Sequence, residues 1–500
     1  MAVEMDVELR QPAGSTSVWR WFPTPDRRLL LLSIALQLVL GLLLGHANDM
    51  RIFMTTGYLA ATGQNPYVPR DLMHVFHHLY FDVHSTIGYP PPWPIVLGGT
   101  YRVVYAVAPS LLLYNLAIKL PVIAANVGLA YLTAAILLNL GSPAALARKA
   151  WVFLLLNPFL IYFTAAWGQI DGVAALAGLA ALVLLWRAQA TADAEGGTGG
   201  RRALDPGTVR RELGSALLLA LAACIKPVAL PLLFAALVWL ARRSLWRAAR
   251  YCAGFLAGVV LFYLVPFAVF GWSLAPALRK WNAVLAMSGT MSYMSVLRVL
   301  RDPFPLPGHW WLLGLLWVPA LIVATVVSLR RRDDGVDGLF ATGAALVLVF
   351  LLTRTWTSAT NVVVLLPLVL MLTLRGRLDR RALTVVWVLP LVFSIFGWTE
   401  LQLLWPAWPG LLQRALAVPP HFQTASVLAR AALVIVWQVA GWWIVIACLR
   451  RTTESPSAVA RSEGVGPVPQ EGATSAPREG AASVAREGAA SAAHKGLVAP

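Results

Sequence analysis

The stretch that decides the fold class lies between residues 251 and 270 and reads YCAGFLAGVVLFYLVPFAVF. It carries no charged side chain over its 20 residues, and about 20 apolar residues are what a helix needs to cross the hydrocarbon core of a bilayer. Because that core holds no water, a crossing chain must satisfy its backbone hydrogen bonds within the helix itself. We therefore predict a membrane-spanning helix here.

Similar apolar runs recur along most of the chain. They lie at about 29–45, 114–139, 150–166, 172–187, 214–241, 311–329, 338–353, 359–374, 382–398 and 428–449. Hydrophobic residues make up 58% of the 500-residue chain and charged residues 13%, whereas soluble domains carry about 25% charged residues. The pattern predicts an all-α, polytopic integral membrane protein with about 11–13 transmembrane helices.

The net charge of +17 sits mainly in short arginine clusters between the apolar runs, for example Arg330-Arg331-Arg332 and Arg450-Arg451. Cytoplasmic loops of membrane proteins carry such an excess of Lys and Arg. The clusters therefore place both termini in the cytoplasm and predict a multi-pass protein of the plasma membrane. A nucleic-acid partner is not expected, because it would call for one basic face on a soluble domain.

The runs divide the chain into three parts. Residues 1–28 are predicted to form a cytoplasmic N-terminal segment, and residues 29–450 form the transmembrane domain. Within it, residues 46–113 are mostly polar and rich in proline near residue 90, so we interpret them as a large first extracytoplasmic loop with one or two helices on or dipping into the membrane. Residues 451–500 are rich in Ala, Gly, Ser, Glu and Pro and are predicted to be a disordered cytoplasmic tail.

One apolar run has basic clusters at both ends. Residues 214–241 are long for one span and short for two, and Lys226-Pro227 lies in the middle. We predict a broken, hairpin-like pair of helices with Lys226 near the tip, since broken helices occur at membrane depth where they line a cavity.

Ionisable groups at or near membrane depth are costly and therefore mark functional positions. This topology leaves six of the 23 acidic residues outside the cytoplasmic segments: Asp49, Asp71, Asp82, Asp171, Asp302 and Glu400. Asp49 directly follows the first helix, where a carboxylate beside apolar surface suits a general base. The plainer interpretation is an ordinary polar residue at a helix end.

Five further candidate site residues follow from residue type. Trp167, Gln169 and Asp171 form one turn between two spans and offer an aromatic surface and hydrogen-bonding groups for a sugar, although Asp171 also suits a helix cap. Lys226, an uncompensated cation in an apolar run, and Arg354, after another run, suit a phosphate. For Lys226 the alternative is a lysine that snorkels to the interface.

A histidine cluster in the first loop has spacing compatible with zinc. His74, His77 and His78 share a helical face, with Asp82 and His84 beyond them. Interfacial helices also carry clustered histidines without metal, so a metal site is the minority interpretation.

Together these motifs resemble the GT-C superfamily of polyprenyl-phosphate-sugar-dependent glycosyltransferases. Over about residues 29–375 the chain is similar to bacterial family 87 (DUF2029-like) proteins and to the catalytic subunit of GPI mannosyltransferase I. The matching residues are Asp49 after the first helix, Gly63-Gln64-Asn65-Pro66-Tyr67, Tyr89-Pro90-Pro91, Asn157-Pro158, the Gly-x-x-Asp that ends at Asp171, and Lys226-Pro227.

The resemblance implies a hexosyltransferase, and specifically an inverting mannosyltransferase, that acts at the extracytoplasmic face. Its donor would be a polyprenyl-phosphate sugar and its acceptor a lipid, glycan or protein. Asp49 would act as the base, while Asp171, Gln169, Trp167 and Tyr89 would bind the sugar. Lys226 and Arg354 would bind the phosphate. No cofactor is implied.

Two motifs depart from the family pattern. The GPI enzyme has Asp-x-Asp where this chain reads Ala47-Asn48-Asp49, so a divalent metal is not expected. Many relatives have Ser-Glu-Gln-Asn where this chain reads Ser358-Ala359-Thr360-Asn361.

A secondary transporter or lipid-linked-sugar flippase is the alternative function, since about a dozen spans and a broken helix suit it as well. The two missing acids keep a third interpretation open, a homologue without catalytic activity.

Overall fold

The structure is a computed structural model. It describes residues 26–68, 87–194, 205–285, 287–297, 299, 308–331, 335–397, 400–408 and 420–450. Most of the predicted N-terminal segment, the predicted tail 451–500 and the histidine cluster at residues 74–84 lie outside these ranges.

The described residues are almost entirely helical, which confirms the all-α prediction. The α-helices are α1 (Arg27–Leu43), α2 (Ala47–Ala61), α3 (Pro92–Val107), α4 (Leu111–Asn139), α5 (Ala144–Leu156), α6 (Pro158–Ile161), α7 (Asp171–Ala194), α8 (Pro206–Ile225), α9 (Pro231–Ala241), α10 (Leu245–Val259), α11 (Val265–Val269), α12 (Leu274–Leu285), α13 (Met294–Leu297), α14 (Trp317–Leu329), α15 (Val336–Thr353), α16 (Leu366–Leu374), α17 (Arg380–Ile395) and α18 (Pro420–Leu449).

Shorter elements join or extend these helices. They are the 3₁₀ helices Pro227–Ala229, Gly308–Leu315, Ala359–Val364 and Glu400–Leu404, the π-helices Tyr162–Ala166 and Val260–Leu264, and the strands β1 (Gly289–Thr290) and β2 (Trp356–Thr357). The two strands pair in parallel.

Within the described residues, seven helices are long and apolar enough to cross a membrane. They are Leu111–Asn139, Ala144–Ala166, Asp171–Thr191, Leu245–Val269, Gly308–Leu329, Val336–Thr353 and Gln423–Leu449. The number rises to eight if α1 and α2, which meet at 84°, form one broken span. This count leaves out apolar runs such as 214–241 and 359–374, which fold into shorter, interrupted helices. The prediction of about 11–13 spans was made for the whole chain.

The helices sort into central and peripheral ones by how much of their surface they bury. In α15 every residue from Gly338 to Thr353 is buried, so this helix forms the centre of the bundle. The outer side of α10 is different, since Leu256 is 57% exposed and the nearby Val269 in α11 is 70% exposed. Large exposed apolar surface is unusual for a soluble monomer but expected for a helix that contacts lipid.

The predicted hairpin at Lys226 is confirmed by the direction of its neighbours. A Cβ on Gly254 of α10 would contact Leu213 of α8, and one on Gly258 would contact Ala220, so α10 runs parallel to α8. Because α10 follows α9 through a three-residue turn and packs against it, α9 runs back along α10. The chain therefore reverses at Lys226, whose backbone is extended.

Basic clusters and a large cavity lie at opposite ends of the bundle. Helix α15 has Asp337 in its first turn, and Asp337 pairs with Arg375 at 2.7 Å. The helix ends beside Arg354, which lines the cavity. Helix α18 contributes Arg430 to the same cavity near its start, while Arg331 donates to a carbonyl in its last turn at 2.8 Å. The positive-inside rule predicts that the cavity lies at the extracytoplasmic end.

This orientation yields a test by reporter fusion. Fusions at Pro69 and Trp281 are expected to report an external location, and fusions at Gly197 and Asp334 an internal one, because the arginine clusters set the orientation. Alkaline phosphatase and fluorescent-protein activities would measure the two sides. An internal signal at Trp281, which lies on α12 and lines the cavity, would contradict the placement of the cavity outside the cytoplasm.

Candidate functional site

A cavity of about 510 Å³ lies where the break between α8 and α9 meets the start of α2 and the turn before α7. Its wall contains all but one of the residues predicted to form the site: Asp49, Tyr89, Trp167, Gln169, Lys226 and Arg354. The exception is Asp171, which is fully buried. Residues more than 300 positions apart in the sequence therefore meet here.

Asp49 projects from the first turn of α2, and its side chain is 26% exposed. Two donors hold one of its oxygens: Trp167 Nε1 and Gln169 Nε2 each lie 2.6 Å from Oδ2. The other oxygen, Oδ1, accepts no hydrogen bond from the described residues. One oxygen thus anchors the carboxylate while the other is left for a ligand.

The turn that carries Trp167 and Gln169 depends on an unusual backbone. A π-helix, Tyr162–Ala166, ends directly before it, and such insertions are frequent at functional sites. Gly168 then adopts φ +101°, and a Cβ there would lie 2.5 Å from Met50 Sδ. Only glycine tolerates both the positive φ and the close packing.

Gly168→Ala should therefore disturb the site directly. Forcing a side chain into this backbone region costs about 1–3 kcal/mol, and the clash with Met50 adds to it. We expect a lower thermal denaturation midpoint in detergent and weaker binding or turnover, because Trp167 and Gln169 must move. Gly99→Ala is the matched control, since a Cβ at Gly99 in α3 meets nothing within 4 Å. Equal midpoints for the two variants would contradict this account of the turn.

The side-chain amide of Gln169 has a single consistent orientation. Tyr89 donates its hydroxyl to Oε1 at 3.1 Å, and Lys226 Nζ lies 3.2 Å from the same oxygen. Because lysine can only donate, Oε1 must face Lys226 and Nε2 must face Asp49. Gln169 therefore links the lysine at the helix break to the carboxylate on α2.

Lys226 is not the uncompensated cation that the sequence indicated. Its ammonium forms an ion pair with Asp171, and Thr360 Oγ1 accepts from it at 3.3 Å. Asn361 Nδ2 donates to the other oxygen of Asp171 at 3.1 Å. With Gln169, these partners engage all three ammonium protons, and the buried pair replaces both the snorkelling lysine and the direct sugar contact expected of Asp171.

The motif Gly63-Gln64-Asn65-Pro66-Tyr67 supports this network from outside the cavity. Tyr67 donates its hydroxyl to the carbonyl of Tyr89 at 3.0 Å. Asn65 accepts from the backbone of Tyr67 and donates to the carbonyl of Ser273 at 3.0 Å. The motif therefore holds Tyr89 in place and ties the first loop to the start of α12.

Arginines line the other part of the cavity. Arg354 packs over the Phe350 ring at 4.9 Å and has no ion pair among the described residues. Burial lowers its pKa to about 10, so it stays charged at neutral pH. Arg430 on α18 lies over Phe393 at 4.2 Å. This side of the cavity suits an anionic group.

A short parallel strand pair closes the cavity beside Arg354. Gly289 N donates to Thr355 O at 2.9 Å, and Met291 N donates to Thr357 O at 2.8 Å. Thr290 between them has φ +54° and lines the cavity. A positive φ is an outlier for a β-branched residue, and strained residues of this kind cluster at ligand sites.

Comparisons with known proteins give little beyond this geometry. No family model matches the chain, and no curated protein is matched. Among solved structures, the crystal structure of ArnT from Cupriavidus metallidurans bound to undecaprenyl phosphate is similar, with 14% sequence identity and a TM-score of 0.46 over 85% of this chain and 76% of that chain. A TM-score below 0.5 leaves function to be argued from this chain's own residues.

Several residues that the structure brings to the site or its support were not predicted from the sequence: His46, Lys119, Lys280, Thr290 and Arg430. Thr360 and Asn361 were noted only as a departure from the family motif. A signal existed for two of them, since Lys119 and Arg430 are lone cations inside apolar runs.

Lys119 is fully buried and donates to the carbonyls of Gly41 and Ala166 at 3.2 Å each. It thereby joins the end of α1 to the π-helix before Trp167.

Proposed function

We propose that this protein is a GT-C-type membrane glycosyltransferase of the plasma membrane. It moves a hexose, mannose by resemblance, from a polyprenyl-phosphate donor to a hydroxyl of a lipid, glycan or protein acceptor at the extracytoplasmic face. The observation that carries the proposal is Asp49, a carboxylate anchored through one oxygen, in a cavity whose other walls carry arginines.

The reaction needs a base and a stabilised leaving group. The acceptor oxygen attacks the anomeric carbon, a new carbon–oxygen bond forms, and the bond from that carbon to the donor phosphate breaks. The phosphate departs with the bonding electrons, while Asp49 Oδ1 takes the acceptor's proton. Attack opposite the leaving phosphate inverts the anomeric centre.

The arginines suit the phosphate better than Lys226 does. Lys226 already uses its three protons within the protein, so its part is to hold Gln169 and the buried Asp171. Arg354 and Arg430 come from different walls of the cavity and offer planar, charged donors for phosphate oxygens. Fixed cations at a developing negative charge lower the barrier because they need not reorganise during the reaction.

The sugar would lie between the base and the arginines. Tyr89, Trp167 and Gln169 line this region, and they combine aromatic surface with hydroxyl and amide groups, as sugar sites do. Their positions are set by the network around Asp49, so the groups that would bind the sugar also orient the base.

Label transfer in detergent tests the proposal. Purified protein would be incubated with radiolabelled polyprenyl-phosphate mannose, glucose or galactose and a membrane lipid extract, and labelled product separated from donor. Detergent removes the barrier between compartments, so transport gives no signal. Transfer from one of these donors supports the enzyme. No transfer from any of them would reject the enzyme and favour the transporter or flippase.

Metal dependence is a separate prediction. Ala47 stands where the GPI enzyme has its first acid, so we expect transfer to keep its rate in EDTA. Among the described residues, no three His, Cys, Asp or Glu side chains lie close enough together to share an ion. Loss of activity in EDTA that Mn²⁺ or Mg²⁺ restores would contradict the prediction and make Asp49 a candidate ligand.

A further inference from the structure

Lys119 lies deep in the spanning helix α4, about 12 Å along the helix axis from Leu111 at a rise of about 1.5 Å per residue. Its side chain is fully buried. Among the described residues, its polar partners are all backbone carbonyls. An ionisable group at such a depth is costly and marks a functional position, so these carbonyls show what the lysine is for.

The side-chain nitrogen of Lys119 joins two segments of backbone. Nζ donates to Gly41 O at 3.2 Å and also to Leu44 O, at the end of α1. It donates to Ala166 O, in the last residue of the π-helix, at 3.2 Å. The last carbonyls of a helix have no partner within that helix, and a buried acceptor without a donor is costly. Lys119 therefore satisfies two helix ends at once.

Both helix ends lead directly to the proposed base. Leu44 is followed by α2, which carries Asp49 in its first turn. Ala166 directly precedes Trp167, whose Nε1 donates to Asp49 Oδ2. The packing between them is close, since a Cβ on Gly168 would lie 3.0 Å from Lys119 Cε. Lys119 thus links the segment that carries the carboxylate to the turn that anchors it.

We propose that Lys119 is a positioning residue for Asp49, which it aligns with its anchoring turn by holding the carbonyls of Leu44 and Ala166. This inference rests on the proposed function. Lys119 does not belong to the cavity wall that the described residues form, so it acts through the backbone and not on the substrate. Without it, the turn moves relative to α2, and a shift of about 1 Å in a reacting group can cost about 10²-fold in rate.

Asn115, one turn earlier in α4, provides a matched control. Its Nδ2 donates to Gly41 O at 2.7 Å, to Leu42 O at 3.1 Å and to Leu44 O at 2.9 Å. It is buried like Lys119 and satisfies the same end of α1. Among the described residues, its side chain makes no hydrogen bond to the π-helix. A comparison of the two positions therefore separates support of α1 from support of the turn.

Lys119→Met and Asn115→Leu should both lower the thermal midpoint in detergent, because each leaves carbonyls of α1 with fewer donors. Only Lys119→Met should lower the turnover number per folded protein, by about 10- to 100-fold, with the donor KM within about twofold. Lys119→Gln keeps an amide donor and should recover part of the turnover. Equal turnover per folded protein in Lys119→Met and Asn115→Leu would overturn the proposal.

A double variant tests whether Lys119 acts through the proposed base. Groups that act as a unit show strongly non-additive effects. Lys119→Met should therefore lower turnover much less in an Asp49→Asn background than in the wild-type protein. If the two losses multiplied in full, Lys119 would affect the reaction independently of Asp49, and the proposal would be wrong.

Hydrogen–deuterium exchange gives a readout that does not depend on activity. Lys119→Met should raise exchange in peptides that cover residues 41–50 and 162–169, whereas Asn115→Leu should raise it in 41–50 alone, since local opening follows the loss of local contacts. Wild-type exchange at 162–169 in Lys119→Met would show that the lysine does not hold the turn. Absence of transfer by the wild-type protein would instead reject the proposed function, and the exchange result would still decide whether Lys119 holds the turn.

Discussion

Asp49→Asn is expected to lower the turnover number for sugar transfer by about 10²–10⁴-fold, the usual cost of losing a general base. The substitution keeps the size of the side chain, and the amide oxygen still accepts from Trp167 Nε1 and Gln169 Nε2, which now contact Oδ2. What disappears is the basic lone pair on the other oxygen. The protein should therefore fold and enter the membrane normally.

The measurement follows label from polyprenyl-phosphate sugar to acceptor in detergent, with turnover number and donor KM recorded separately. Asp26→Asn is the control, because Asp26 is an exposed acid at the start of α1 that pairs with Arg148 on the basic side of the bundle. It should retain wild-type transfer. Equal transfer by Asp49→Asn and the wild-type protein would show that Asp49 is not the base.

Lys226→Met is expected to have the largest effect on stability. Lys226 and Asp171 have side chains only 8% and 0% exposed. Removing one partner of a buried pair leaves an uncompensated charge, which typically costs about 3–5 kcal/mol. We expect a clearly lower thermal midpoint in detergent, and loss of transfer in whatever protein remains folded, because Gln169 loses a contact that sets its orientation.

A double variant separates these two effects. Lys226→Met with Asp171→Asn removes both charges, so the stability should recover substantially, since paired removal of buried charges is often nearly neutral. Transfer should stay low because Gln169 remains unsupported. Lys226→Arg keeps the charge and should retain part of both properties. A wild-type midpoint for Lys226→Met alone would show that the lysine reaches water and is not paired in the membrane.

The two parts of the site respond differently to substitution for a physical reason. Asp49 lies on the cavity wall and is the proposed base, so we expect a neutral substitution of equal size to change the rate. Lys226 lies in the wall with its side chain almost buried, and Asp171 lies beneath it. Charge without a partner is costly there, so we expect substitution to change folding first. Loss of activity in a Lys226 variant is therefore informative only beside a stability measurement.

The sequence by itself determined the class of fold and the candidates for catalysis. Apolar runs such as residues 338–353 predict membrane-spanning helices. A bilayer contains no water, so a crossing segment must satisfy its own backbone hydrogen bonds. The cost of an ionisable group near membrane depth made Asp49 a candidate without any knowledge of its neighbours. The break at Lys226-Pro227 was also visible, since proline interrupts a helix and lysine is costly in an apolar run.

Only the tertiary structure decided which of these groups are partners. Lys226 looked uncompensated because its carboxylate, Asp171, lies 55 positions away in the sequence, and the polar contacts from Thr360 and Asn361 come from further still. The apolar runs show a related limit. An apolar run specifies burial, but whether it crosses the membrane or folds as a short helix beside a cavity depends on what packs against it.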